Sequence, residues 1–143
     1  MTPDDEKYLR RAIALAAAAR EGGDPPFGSL LVGPDGAVLH EERNTSITDA
    51  DISAHPEQKV ARWAARELDL DTAAACTMYT SCQPCGMCAG ALERSGIGRV
   101  VYALSTEQLN SLKSPTAVPV ARPFLLEGPG LFEEARVPVE GYY

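Results

Sequence analysis

His55, Glu57, Cys85 and Cys88 are the residues whose types and spacing can do chemistry together. His55-Pro56-Glu57 forms one short segment, and Pro84-Cys85-Gly86-Met87-Cys88 forms another further along the chain. One imidazole and two thiolates can hold a tetrahedral zinc ion and leave its fourth position to water, which is the arrangement of a catalytic site. Two thiolates cancel the charge of the ion, yet it still acidifies the water. Glu57 is not needed as a ligand. Its carboxylate is free to take a proton from water and pass it to a leaving nitrogen. Such a set performs hydrolytic deamination.

A Cys-x-x-Cys pair alone has other uses, as a redox pair or as half of a structural zinc site. Cys82 offers a fourth thiolate on spacing. Cys82, Cys85 and Cys88 also have the spacing of an iron–sulfur run, but its next cysteine and proline are absent. The His-Pro-Glu segment before one helix and Pro-Cys before another favour catalytic zinc, one ion per subunit. Pro84 separates Cys82 from the helix, so Cys82 is expected just before the site, half-buried and not a ligand. Cys76, Cys82, Cys85 and Cys88 lie too close together to staple distant segments. Metal binding in a reducing compartment suits them better.

The elements that must position these residues follow from the patterning. Thr2 can cap a helix with Pro3 at its first position and Asp5 in its first turn. Leu9, Ala12, Ile13 and Ala16 then share a face, and Gly22-Gly23 ends the helix near Glu21. Residues 27–32 and 37–42 read as an antiparallel hairpin turning at Gly33-Pro34-Asp35-Gly36. A polar loop over 44–53 leads to His55, and a helix is expected from there to Leu68, with Val60, Ala61, Ala64, Ala65 and Leu68 inward. Pro56 makes His55 a cap rather than a helical residue. Residues 76–80 predict a strand, 85–94 a helix closed by Gly96, 99–104 a strand and 106–112 a short helix. The strand–helix–strand unit should be parallel. The fold class is α/β, a three-layer α-β-α sandwich around a central mixed five-stranded sheet, with 1–143 as a single domain. The proline-rich tail after Pro115 has no clean period, and 131–139 is open to a strand or a covering helix.

The chain has 143 residues, 45% hydrophobic and 23% charged, enough for a core without disulfides. No apolar run reaches membrane-spanning length, and the acidic start Asp4-Asp5-Glu6 is unlike a signal peptide. A cytoplasmic location is expected. The formal charge of −7 argues against a large nucleic-acid partner, whose phosphates attract Lys and Arg.

The pattern H-x-E…P-C-x-x-C is that of zinc nucleobase deaminases. To about Leu104 the chain resembles the cytidine-deaminase-like superfamily, in its cytosine/guanine/tRNA-adenosine branch, through PPFGSLLV, AHPE, MYTSCQPCGMCAGAL and GRVVYAL. The resemblance implies that His55, Cys85 and Cys88 bind zinc and that Glu57 shuttles the proton. It places Asn44 as a base-binding amide, against which stands a loop-capping role. Phe27 is either a base-stacking wall or core, and Gln83 offers an amide or backbone contact to substrate. Pro56 stands where relatives most often have alanine, and Gln83 where many have glutamate or serine. His55 would also border the substrate.

These features imply a free nucleobase or aminated analogue as substrate, of guanine, cytosine, isoguanine or azacytosine type. The alternatives are a tRNA-specific adenosine deaminase, a nucleoside deaminase and a non-catalytic zinc-binding interaction module. Relatives commonly pair, so a homodimer is expected. The aromatic end, Tyr142-Tyr143, is a candidate lid. Trp63 is expected in packing and His40 as ordinary sheet structure.

Overall fold

The computed structural model describes residues 1–119 and 121–143. The chain forms two compact units, Met1–Lys113 and Ser114–Tyr143. The first holds all the strands found among the described residues, and five helices.

Helix α1 (Pro3–Glu21) starts as expected: Thr2 accepts from the Asp5 N–H, and the Asp5 carboxylate accepts from the Thr2 N–H. Its buried stripe is Leu9, Ala12, Ala16 and Ala19. Ile13, expected on the same face, is 50% exposed and falls outside that stripe. Strands β1 (Gly28–Val32) and β2 (Val38–Arg43) form the antiparallel hairpin. Helix α2 (Pro56–Glu67) follows, with Val60, Ala61 and Ala64 buried; Ala65, expected inward, is exposed. A short helix α3 (Leu70–Ala74), which the sequence reading leaves out, is capped by the Asp69 carboxylate accepting from the Thr72 N–H. Strand β3 (Thr77–Cys82), helix α4 (Gly86–Ser95), strand β4 (Arg99–Leu104) and helix α5 (Thr106–Leu112) complete the unit. Gly96 ends α4 at a positive φ of 85°, the conformation for which glycine is suited.

The strands pair in the order β2-β1-β3-β4, with β3 and β4 parallel and the other pairs antiparallel. The sheet of the described residues has four strands, not the expected five. Residues 131–139 add none: Phe132–Ala135 is one helical turn, α6, followed by further turns. Pro138 removes a ladder donor from this stretch, as Pro119, Pro123 and Pro129 do from the tail before it.

Alternation along the central strands divides the core. Leu30, Val32, Tyr79 and Val101 cluster with Leu9 and Ala12 of α1. Leu31 and Met78 cluster with Val60 and Ala64 of α2. Burying a side chain such as Leu30 or Leu31 fully contributes about 1.5–3 kcal/mol over leaving it exposed. Gly28 is where α1 presses closest: a Cβ there would lie 2.5 Å from Leu15 Cβ and 2.6 Å from the Ala12 carbonyl oxygen.

Candidate active site

Two helix starts bring the ligands together. His55 is the N-cap of α2, with Pro56 at the first helical position, and Cys85 is the N-cap of α4. Neither side chain caps its own helix, so both are free to turn to a common point. Cys88 lies one turn into α4 and is buried. The ligand atoms of His55, Cys85 and Cys88 all lie within 4.8 Å of one another. Nδ1 of His55 is 3.7 Å from Cys85 Sγ and 3.5 Å from Cys88 Sγ. A tetrahedral zinc with ordinary Zn–S and Zn–N bonds places nitrogen and sulfur ligands about 3.6 Å apart. The donor set and its spacing therefore fit zinc, with Nδ1 facing the ion.

Burial pushes the Cys88 thiol far above its ordinary range, and the nearby Glu57 and Cys85 push it further. A divalent cation reverses that preference by binding the thiolate. The helix N-terminus also favours negative charge on sulfur there.

Glu57 lies in the first turn of α2, 5% exposed, and is not one of the converging ligands. Its Oε2 lies 3.6 Å from Cys88 Sγ, and its Oε1 accepts from the Thr80 hydroxyl at 2.9 Å. A cavity of about 90 Å³ opens over these residues, walled by Phe27, His55, Glu57 and Cys85, with Cys82, Gln83 and Leu109 around them. An apolar groove of about 530 Å³ shares Phe27, Cys82 and Leu109 with it.

The other candidate residues fall in different places. Phe27 is half-buried and forms cavity wall. Gln83 is exposed at the rim, and its Oε1 accepts from the Thr106 N–H at 3.0 Å, joining the end of β3 to the start of α5. Asn44 is 2% exposed. Its Oδ1 accepts from the N–H and hydroxyl of Ser46, both at 2.8 Å, and its own N–H donates to the Phe27 carbonyl at 3.0 Å. It caps its loop and is not among the cavity walls. The same loop is fastened by Asp24, which accepts from the Ile47 and Thr48 N–H groups and the Thr48 hydroxyl. Those bonds, led by the Thr48 N–H, hold the Asp24 carboxyl below its ordinary range.

Cys82 is buried at 3% rather than half-buried, and it stands apart from the ligand trio. Burial, with the Glu57 charge beside it, raises its thiol. His40 stacks on Trp63 with ring centroids 4.7 Å apart, and its Nε2 donates to Glu42 Oε1 at 2.9 Å, away from the cavity. Leu109 and Thr80 are the residues that sequence reasoning misses. The capping residues of α5 do not say which side of that helix faces the site. Thr80 does carry a signal: on alternation it shares a strand face with Met78, where an apolar residue is expected.

The comparisons agree with this geometry. Residues 2–104 match the family model of the cytidine and deoxycytidylate deaminase zinc-binding region. A probable cytosine deaminase of Schizosaccharomyces pombe is 32% identical, over 100% of this chain and 94% of that protein. A tRNA-specific adenosine deaminase of Haemophilus influenzae is 34% identical, over 77% of this chain and 64% of that protein. The crystal structure of a guanine deaminase from Bacillus subtilis superposes with a TM-score of 0.75 at 29% identity, covering 97% of this chain and 92% of that one. With its zinc-ligand trio and the adjoining carboxylate, the chain belongs to the cytidine-deaminase-like superfamily, in its nucleobase-deaminase branch.

Proposed function

We propose that this chain is a zinc-dependent hydrolase that deaminates a free nucleobase or aminated base analogue and releases ammonia. The observation that carries the reading is Glu57: a buried carboxylate outside the ligand trio that keeps one oxygen toward it. When bound, zinc supplies the Lewis acid that activates water for attack on an aminated ring carbon. His55, Cys85 and Cys88 hold it. Glu57 takes the proton of the attacking water and delivers it to the departing nitrogen. Phe27 and Leu109 wall the ring and exclude bulk water. Gln83 borders the mouth, and Asn44, with its oxygen engaged by Ser46, shapes the loop behind Phe27 rather than the wall itself.

The cavity over the ligands, about 90 Å³, suits a single ring, free or flipped out of a strand. A free base is favoured over a polynucleotide by the net charge of −7, which offers little to phosphates. Guanine, cytosine, isoguanine and azacytosine are the candidates, in keeping with the named activities of the yeast and Bacillus relatives. The Haemophilus relative supports tRNA adenosine as a second reading. The reading includes a three-layer arrangement, with α1 over one set of alternate strand residues and α2 over the other, a homodimer, and a cytoplasmic location. No helix of the described residues is long and apolar enough to cross a membrane.

Ammonia release from zinc-loaded protein, screened over free bases, nucleosides and a tRNA anticodon stem, tests the reading. A free base should be the best substrate. Release from the tRNA stem alone supports the second reading, and zinc binding with no release from any of them leaves an interaction module. Glu57→Gln should keep its zinc and lose about 10²–10⁴-fold in turnover. Full activity in that variant overturns the assigned role.

A further inference from the structure

We infer that Thr80, backed by Ser29, is a positioning residue for Glu57: it holds one carboxylate oxygen so that the other is the one that exchanges the proton. The inference rests on the reading of Glu57 as proton carrier.

Ser29 and Thr80 are direct partners across β1 and β3, and both side chains are fully buried. The Ser29 hydroxyl donates to Thr80 Oγ1 at 2.9 Å, and the Thr80 hydroxyl donates to Glu57 Oε1 at 2.9 Å. A hydroxyl has one proton. The competing acceptor for that of Thr80, the Gly28 carbonyl, is farther away at 3.4 Å. The charged acceptor is both nearer and stronger. With Ser29 donating into its oxygen, Thr80 acts toward Glu57 as a donor only. The chain of bonds runs one way, from sheet to carboxylate.

The consequence for Glu57 is orientation. Oε1 is held on the sheet side, and Oε2 is left 3.6 Å from Cys88 Sγ, on the ligand side. Turning the carboxylate plane away from this setting would break the Thr80 bond, which only a half-turn, bringing the equivalent oxygen into the same place, restores. Pre-set geometry of this kind is worth large factors in rate, since small misplacements of a reacting group cost about 10²-fold.

A purely structural account fits less well. The two hydroxyls share their strand faces with Leu31 and Met78, which are core. A buried hydroxyl costs stability unless bonded, and two apolar side chains of the same shape would pack there without that requirement.

Valine has the shape of threonine without its hydroxyl, so Thr80→Val is the informative variant. Its zinc content, by metal analysis, should equal that of the parent, since no ligand is touched. With the base that the parent turns over best, kcat should fall about 10- to 100-fold with KM within about twofold. Thr80→Ser should recover most of the loss. A second readout needs no turnover: urea midpoints of the zinc-loaded parent, Thr80→Val, Glu57→Ala and the double variant. Coupled residues give a double-variant shift smaller than the sum of the single ones. A zinc-loaded Thr80→Val with the parent's kcat overturns the positioning role, and additive midpoint shifts overturn the hydrogen bond beneath it. If the parent releases ammonia from no base, nucleoside or tRNA stem, the deaminase reading fails and the midpoints alone decide the Thr80–Glu57 link. If Thr80→Val does not fold, Ser29→Ala replaces it in both measurements under the same criteria.

Discussion

Asp5 and Glu57 are both buried carboxylates, and their surroundings assign them opposite tasks. Asp5 accepts two bonds from Arg99 at 2.9 Å, one from the Tyr79 hydroxyl at 2.7 Å and one from the Thr2 N–H at 2.9 Å. Arg99 first, then Thr2 and Tyr79, hold its carboxyl well below the ordinary range. Burial and the bond to Asp5 push the Tyr79 hydroxyl up to about 12. All of Asp5 is committed to joining the start of α1 to β3 and β4. Glu57 gives one oxygen to Thr80 and turns the other to the ligand side, as its proposed task requires. Asp5→Asn is therefore expected to lower the unfolding midpoint at pH 7 and to leave zinc content unchanged. A carboxyl depressed in the folded state stabilises above its unfolded pKa, about 3.9, and loses that contribution as the pH falls toward the folded value. The gap between parent and Asp5→Asn in urea unfolding should thus be widest near neutrality and shrink from about pH 4 downward. A gap that grows in acid contradicts the assignment.

At the scale of elements, the contact between α1 and β1 is the most exacting. Gly28→Ala puts a methyl group against Leu15 and the Ala12 carbonyl, and overpacking of this kind costs about 1–3 kcal/mol. Gly28 lies between the cavity wall Phe27 and Ser29, which backs Thr80, so the displaced strand should lower turnover as well as the urea midpoint. A variant with the parent's midpoint would show that α1 can retreat freely. Most elements are legible in the sequence because their ends carry local signals: Thr2 and Pro3 at α1, the turn before β2, Pro56 at α2, Gly96 after α4. The bounds of β4 and α5 agree with the sequence reading to the residue. The zinc trio is legible for the same reason, since each ligand sits at or near a helix start. Helix α3 is five residues long, too short to show a period. The Ser29–Thr80 pair and the Leu109 wall depend on strand register and on where α5 docks. Those are long-range matters that no local pattern encodes.

Across the whole molecule, the second unit is the part least explained by its own packing. Phe124, Leu125 and Leu126 are each more than 80% exposed, and Leu131 and Phe132 more than 70%. Apolar side chains that the unit does not bury itself call for some other cover. The proposed homodimer would offer one such cover, and for it light scattering should return twice the chain mass of 15.3 kDa. A monomer at micromolar concentration would remove that proposal. The ligands stand on the starts of α2 and α4, whereas the wall around the cavity comes from Phe27 ahead of β1 and Leu109 on α5, with Gln83 fastening the end of β3 to α5. Mutation can remodel the wall without touching the metal's holders. A lineage built on such a plan can change which ring it accepts in small viable steps, each still a working hydrolase.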